Sequence, residues 1–118
     1  MPMFVDPNAR VPVTLGENTI YVKAKMDMGT RALLEDEIRT NGKAVDEAEL
    51  RGLGSYRLLL LVHNIVDWEG PGFADAQGRK VPCSRENIKR LDPNEPICAM
   101  VAERIGELNR SPESPDPN

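Results

Sequence analysis

His63, Asp67, Glu69 and Asp75 lie close together in "VHNIVDWEGPGFADAQGRKVPCSREN", residues 62–87, which also holds the chain's one Trp and Cys83. An imidazole titrates near neutral pH, so His63 is the residue best suited to general-base or metal-ligand work. No Ser or Cys is obviously poised beside it, and it falls within an apolar helical run. A satisfied helix histidine is the expectation. Asp67, Glu69 and Asp75 offer hard oxygen ligands, but their spacing is not that of an EF-hand loop, and Pro71 constrains the backbone between them. Cys83, Cys98 and a single His do not fill a closed four-ligand zinc site. Cys98 follows the apolar Ile97 and reads as a small buried hydrophobe. "GPGFADAQG" is rich in Gly, yet it fits neither GxxxxGK[ST] nor GxGxxG and does not lead directly into a helix. The residues therefore predict no catalytic site, no metal and no cofactor. They predict a structured connection between two helices, with Trp68 as a plug under the loop and its indole N–H reaching a loop carbonyl.

The elements that hold this connection follow from periodicity. Residues 1–10 carry two Pro and no period, and read as an extended arm. In "VPVTLGENTIYVKAK" Ile20, Val22 and Ala24 alternate with Tyr21, Lys23 and Lys25, a half-buried strand signal. A β-hairpin over about 11–25 is expected around Gly16-Glu17-Asn18, with Pro12 confining the first strand to an edge. Leu34 and Ile38 mark an amphipathic helix near 28–40, capped by Asp27 or Thr30 and stopped at Asn41-Gly42. A loop follows over 41–45. The main helix is expected over about 47–67, with Asp46 and Glu49 arranged like a capping box. Its stripe runs Leu50, Leu53, Leu58, Leu61, Ile65. Gly52 and Gly54 point to close packing, a kink or a break before Ser55. "EGPG" ends the helix and "DAQG" reads as a turn. Ser84 caps a short helix, "RENIKRL", with Glu86 in its first turn. Asp92 caps the last helix with Pro93 at its first position. Ile97, Val101, Ile105 and Leu108 form its stripe to about 109. "RSPESPDPN", 110–118, reads as a disordered Pro-rich tail.

The fold class expected is mainly α (α+β): one small domain, 11–109, of about four helices with an N-terminal β-hairpin. The 118 residues suit a single domain, and at 40% apolar, 29% charged and only 4% aromatic the core must be aliphatic. A net charge of -4, with Lys and Arg scattered, argues against nucleic-acid binding. Two Cys do not make a secreted disulfide framework. No signal peptide or membrane span is read, so a soluble cytosolic protein is expected. Tyr21, Tyr56, Trp68 and Phe73 are the aromatics able to anchor a partner.

The order of elements and one string of residues resemble a known family. Trp68, Gly70-Pro71, Asp75, Gly78, Val81-Pro82, Ser84 and Glu86-Asn87-Ile88 match W-x-G/D-P followed by D-x-x-G-x-x-V-P-x-[ST]-x-E-N-[IL]. This resembles the small tail assembly chaperones of long-tailed (siphovirus-like) bacteriophages, over roughly residues 11–109. The resemblance implies a non-enzymatic protein of the host cytoplasm. It would bind the tape-measure protein, keep it soluble and recruit tail-tube subunits, with self-association open. It also implies an apolar client groove, which the hairpin and last helix have the surface to build. A minus-one frameshift often lengthens such proteins, and Asp116-Pro117-Asn118 can be encoded by codons that contain a slippery heptamer. The rival reading is a structural virion component of the neck or tail, such as a head–tail adaptor.

Overall fold

A computed structural model of the chain describes residues 3–41 and 54–110. Arg10–Leu15 (β1) and Asn18–Lys23 (β2) form the expected antiparallel hairpin. Leu15 pairs with Asn18, so the loop is the two residues Gly16-Glu17. Gly16 has φ +63 and Glu17 has a negative φ, the pattern of a type II′ turn, which places Gly first. In this register Pro12 opposes Tyr21. Counting from the turn, that is a non-hydrogen-bonded pair, so the missing Pro N–H falls on the free edge of β1, where it costs no ladder bond.

Met28–Asn41 (α1) follows, with Asp27 accepting from the Thr30 amide at 2.7 Å. The central helix is Gly54–Asn64 (α2). Its expected start near 47, the Asp46–Glu49 box, Leu50, Gly52 and Leu53 lie outside the described residues, as does the tail from 111.

The fold class needs correction. Ile65–Glu69 is not the end of the main helix but a strand (β3), antiparallel to β2. The described residues form a small α+β fold, a three-stranded antiparallel sheet in the order β1-β2-β3 with four helices. The helix stops because Asn64, fully buried, turns its side-chain amide back onto the Leu60 carbonyl at 2.9 Å. The β-branched Ile65 and Val66 then favour extended backbone.

Ile65 and Trp68, three residues apart, are both buried, a spacing that suits one face of a helix rather than a strand. A bulge resolves it. Tyr21 opposes Asp67 and Val22 opposes Ile65, which leaves Val66 as the extra residue. Both apolar side chains can thus face inward.

Arg85–Ile88 (α3) and Pro96–Leu108 (α4) complete the chain. Ser84 caps α3 as expected, accepting from the Asn87 amide at 3.1 Å. This helix ends sooner than Leu91, in turns closed by Arg90 and Leu91. The last helix starts at Pro96, not Pro93. Asp92 instead accepts from Asn94 and closes a turn to Glu95.

The inner sheet face, Val13, Ile20, Val22, Ile65 and Trp68, packs with Val101 and Ile105 of α4 in one core. A second, smaller cluster, Met26, Leu34 and Leu59, joins α1 to α2. Asn109, the C-cap of α4, accepts from the Met26 amide at 2.7 Å and ties the two regions together. Among the described residues no helix is long and apolar enough to cross a membrane.

Candidate functional site

The connection after β3 folds back over the sheet. The Trp68 indole N–H donates to the Val81 carbonyl at 2.8 Å, and the Val81 amide donates to Phe73 at 2.9 Å. The Phe73 ring stacks on the indole, centroids 4.9 Å apart and planes 5° from parallel. The plug expected at Trp68 is therefore present, seated on a strand rather than a helix end. Gly70, at φ +128, lies so close to the hairpin turn that a Cβ would stand 2.6 Å from the Glu17 carbonyl. No other residue fits there without moving backbone. Asn18 accepts from the Gly72 amide at 2.8 Å and fixes the loop to the hairpin.

The turn at Asp75-Ala76-Gln77-Gly78 is as expected. Asp75 Oδ1 accepts from the Gln77 and Arg79 amides, each at 2.9 Å, and Gly78 takes φ +78. These amides hold the Asp75 carboxyl below its ordinary range, against its burial, with the Arg79 side chain adding to the effect.

The possible oxygen ligands do not work together. Asp75 serves the turn, and Asp67 pairs with Arg10 at 3.8 Å and accepts from the Trp68 amide. Glu69 accepts from the Tyr21 hydroxyl. Among the described residues no group of three His, Cys, Asp or Glu is placed to hold a metal ion.

The four candidate anchors divide. Trp68 and Phe73 are 4% and 7% exposed, so neither projects from the surface as an anchor, and each shows only an edge to a cleft. Their size is used in the core, whose other large members are aliphatic. Tyr21 stands on the outer sheet face, half-buried. Its hydroxyl is bound by Glu69, and the Arg10 guanidinium lies 5.7 Å above its ring. The Glu69 carboxylate that accepts its proton holds the phenol above its ordinary range. Tyr56 is half-buried on α2. The structure does not bring the four aromatics to one surface.

One constellation was not legible from the sequence. His63 Nε2 on α2 lies 2.9 Å from Glu37 Oε1 on α1, and Arg85 Nη2 at the start of α3 donates to Glu37 Oε2 at 2.8 Å. Burial raises the Glu37 carboxyl, but Arg85 and His63 outweigh it, and the group sits below its ordinary range. An imidazole oriented by a carboxylate is half of a nucleophile-activating pair. Among the described residues, no hydroxyl or thiol is bonded to His63. The Ser84 hydroxyl accepts the α3 cap bond, and burial, with Asp67 adding to it, pushes the Cys83 thiol up. The cluster reads as a clamp joining three helices. Glu37 shares its helix stripe with Leu34 and Ile38 only loosely, so no local spacing announced it. Cys98 is buried, its thiol raised by that burial, and it donates to the Asp92 carbonyl at 3.6 Å.

Comparison with family models, with curated proteins and with solved structures finds no match for this chain.

Proposed function

We propose that this chain is a tail assembly chaperone of a long-tailed bacteriophage. It acts without catalysis in the host cytoplasm, holds the tape-measure protein in solution and recruits tail-tube subunits. The observation that carries this reading is that the string behind the resemblance folds as one unit. Trp68 is bonded to Val81, Asp75 and Gly78 make the turn, and Ser84 caps α3. Asn87 donates to the Pro82 carbonyl at 2.9 Å, and Ile88 is buried beneath it. Trp68, Gly70, Asp75, Gly78, Ser84, Asn87 and Ile88 each have a structural reason to be the residue they are, as expected of a string that marks a fold rather than a reaction.

The client surface must be placed anew. The hairpin and last helix cannot supply an apolar groove, because their apolar faces are packed on each other. The most exposed apolar side chains lie in the N-terminal arm, Met3 and Phe4, and on α1. Met28 and Leu33 on α1 are 90% and 59% exposed, and Met100 on α4, beside β1, is 38% exposed. Apolar surface left in water is the feature a holdase uses.

The test is co-expression with the tape-measure protein of the same genome, then co-purification and size-exclusion chromatography. A soluble client eluting with many copies of this chain is the expected result. An insoluble client, with this chain running alone as a ring, would replace the chaperone by a neck or head–tail adaptor.

A further inference from the structure

Beneath the loop after β3 lies a cleft of about 380 Å³. Trp68, Phe73, Leu91, Ile97 and Cys98 give it an apolar floor, and Asp75, Arg90, Asp92 and Glu95 a charged rim. Ligand pockets begin at roughly 300 Å³, so the space suits one long side chain better than an extended ligand.

The rim charges are not equivalent. Asp75 is bound by two backbone amides and by Arg79 at 3.0 Å. Arg90 donates to Asn87 Oδ1 at 3.1 Å, and its charge also acts on Asp75. That end of the cleft is internally compensated. At the other end, Asp92 and Glu95 have no ion-pair partner among the described residues. Asp92 gives one oxygen, Oδ1, to the Asn94 amide at 2.9 Å. Glu95 is the N-cap of α4, yet its side chain makes no cap hydrogen bond. The shorter Asp, Asn or Ser at such a position turns onto the first helical amides. This one is left available at the cleft. The start of α4 opposes the two carboxylates with only about half a positive charge, so the carboxylates dominate.

We propose that this cleft is a docking site for a Lys or Arg side chain of a partner protein. The aliphatic stem lies along Leu91, Ile97 and the Trp68–Phe73 stack, and the cationic head meets Glu95 and Asp92. Long basic side chains are built for such a site, with an apolar stem and a charged tip. The inference goes beyond the chaperone reading and does not rest on it.

The test uses the full chain and the signal of its one Trp. The Trp68 indole N–H is bonded to Val81 at the cleft, and as the chain's one indole it should give one indole N–H resonance. The probes are acetyl-Gly-Lys-Gly-amide and its Arg counterpart. Peptides with norleucine or Glu at the centre, and n-butylammonium, serve as controls. The Lys or Arg peptide should shift the Trp68 indole and the Leu91 and Cys98 amides saturably. Its binding should be roughly fivefold tighter than that of the norleucine peptide, the upper range for an exposed ion pair. Glu95→Gln, which removes no cap bond, should erase most of that difference while leaving the urea midpoint in place. Equal binding of the norleucine peptide would overturn the proposal, as would preference for the Glu peptide. Tighter binding of n-butylammonium than of either basic peptide would assign the cleft to a small amine instead. No localised shift with any probe would leave no site there.

Discussion

The Trp68 indole fills the core with its ring and closes the following loop with its N–H. Both functions end in buried surroundings, the ring under Phe73 and the N–H on the Val81 carbonyl. Trp68→Phe keeps an aromatic ring but removes the donor and leaves a void. Its expected cost is about 2 kcal/mol, from the lost bond and the imperfect fill together. Urea unfolding checks this; a midpoint equal to wild type would show that the indole bond holds nothing. The sequence made this contact legible because a buried Trp must place its N–H, and the only chain that can fold over it is the Gly-rich stretch that follows. Tyr21 was less legible. Its exposure was foreseeable from strand alternation, but its bonding to Glu69 depends on a third strand that periodicity had assigned to a helix.

At the level of elements, the bulge at Val66 decides which side chains reach the core. Leu61, Ile65 and Trp68 are spaced four and three apart, which is the signature of a helix stripe. The structure meets the same burial requirement with a helix end, then a strand carrying one extra residue. Deleting Val66 restores strict alternation, because Ile65 and Trp68 become two residues apart and both still face inward. The expected result is that cooperative unfolding and the near-ultraviolet circular dichroism of Trp68 are both kept. Val66→Ser, at an exposed position, should change stability by less than about 0.5 kcal/mol. A deletion variant that loses both the cooperativity and the Trp68 signal would show that the extra residue is needed to keep Ile65 and Trp68 in the core.

The clamp between helices has its own signature. Glu37 is held below its ordinary value by Arg85 and His63, against its burial. A depressed folded-state value means that the contribution is fully present above the unfolded value, about 4.3 for Glu, and is lost as pH falls through the folded one. The stability advantage of wild type over Glu37→Gln should therefore shrink between about pH 5 and pH 3. Asp27 and Asp75, also depressed, are common to both chains, so the difference isolates Glu37. An advantage that stays constant across that range would mean that Glu37 titrates alike folded and unfolded.

For the molecule as a whole, apolar side chains left in water are the quantity tied to the proposed role. Met28→Ser and Leu33→Ser together should lower capture of the tape-measure protein several-fold while leaving the urea midpoint within error. The measurement is the yield of co-purified client per copy of this chain. Unchanged capture would move the client surface off α1. The division of the interior supports such a test. The sheet, α2 and α4 share the main core, whereas α1 is joined to the rest through a small cluster and the Glu37 clamp. Changes on its exposed side should not reach the main core.

Local chemistry alone determined several parts of this protein. The hairpin turn follows from Gly16, the α3 cap from Ser84, the 75–78 turn from Asp75 and Gly78, and the apolar side of α4 from its period. Each depends on neighbours within a few residues, where backbone preference and side-chain reach suffice. Only tertiary structure decided the third strand, the Val66 bulge, the burial of Phe73 and the meeting of Glu37 with His63 and Arg85. Those depend on partners tens of residues away. A spacing of three or four satisfies a helix face and a bulged strand equally well, and only the presence of β2, with unpaired backbone groups along its open side, chooses between them.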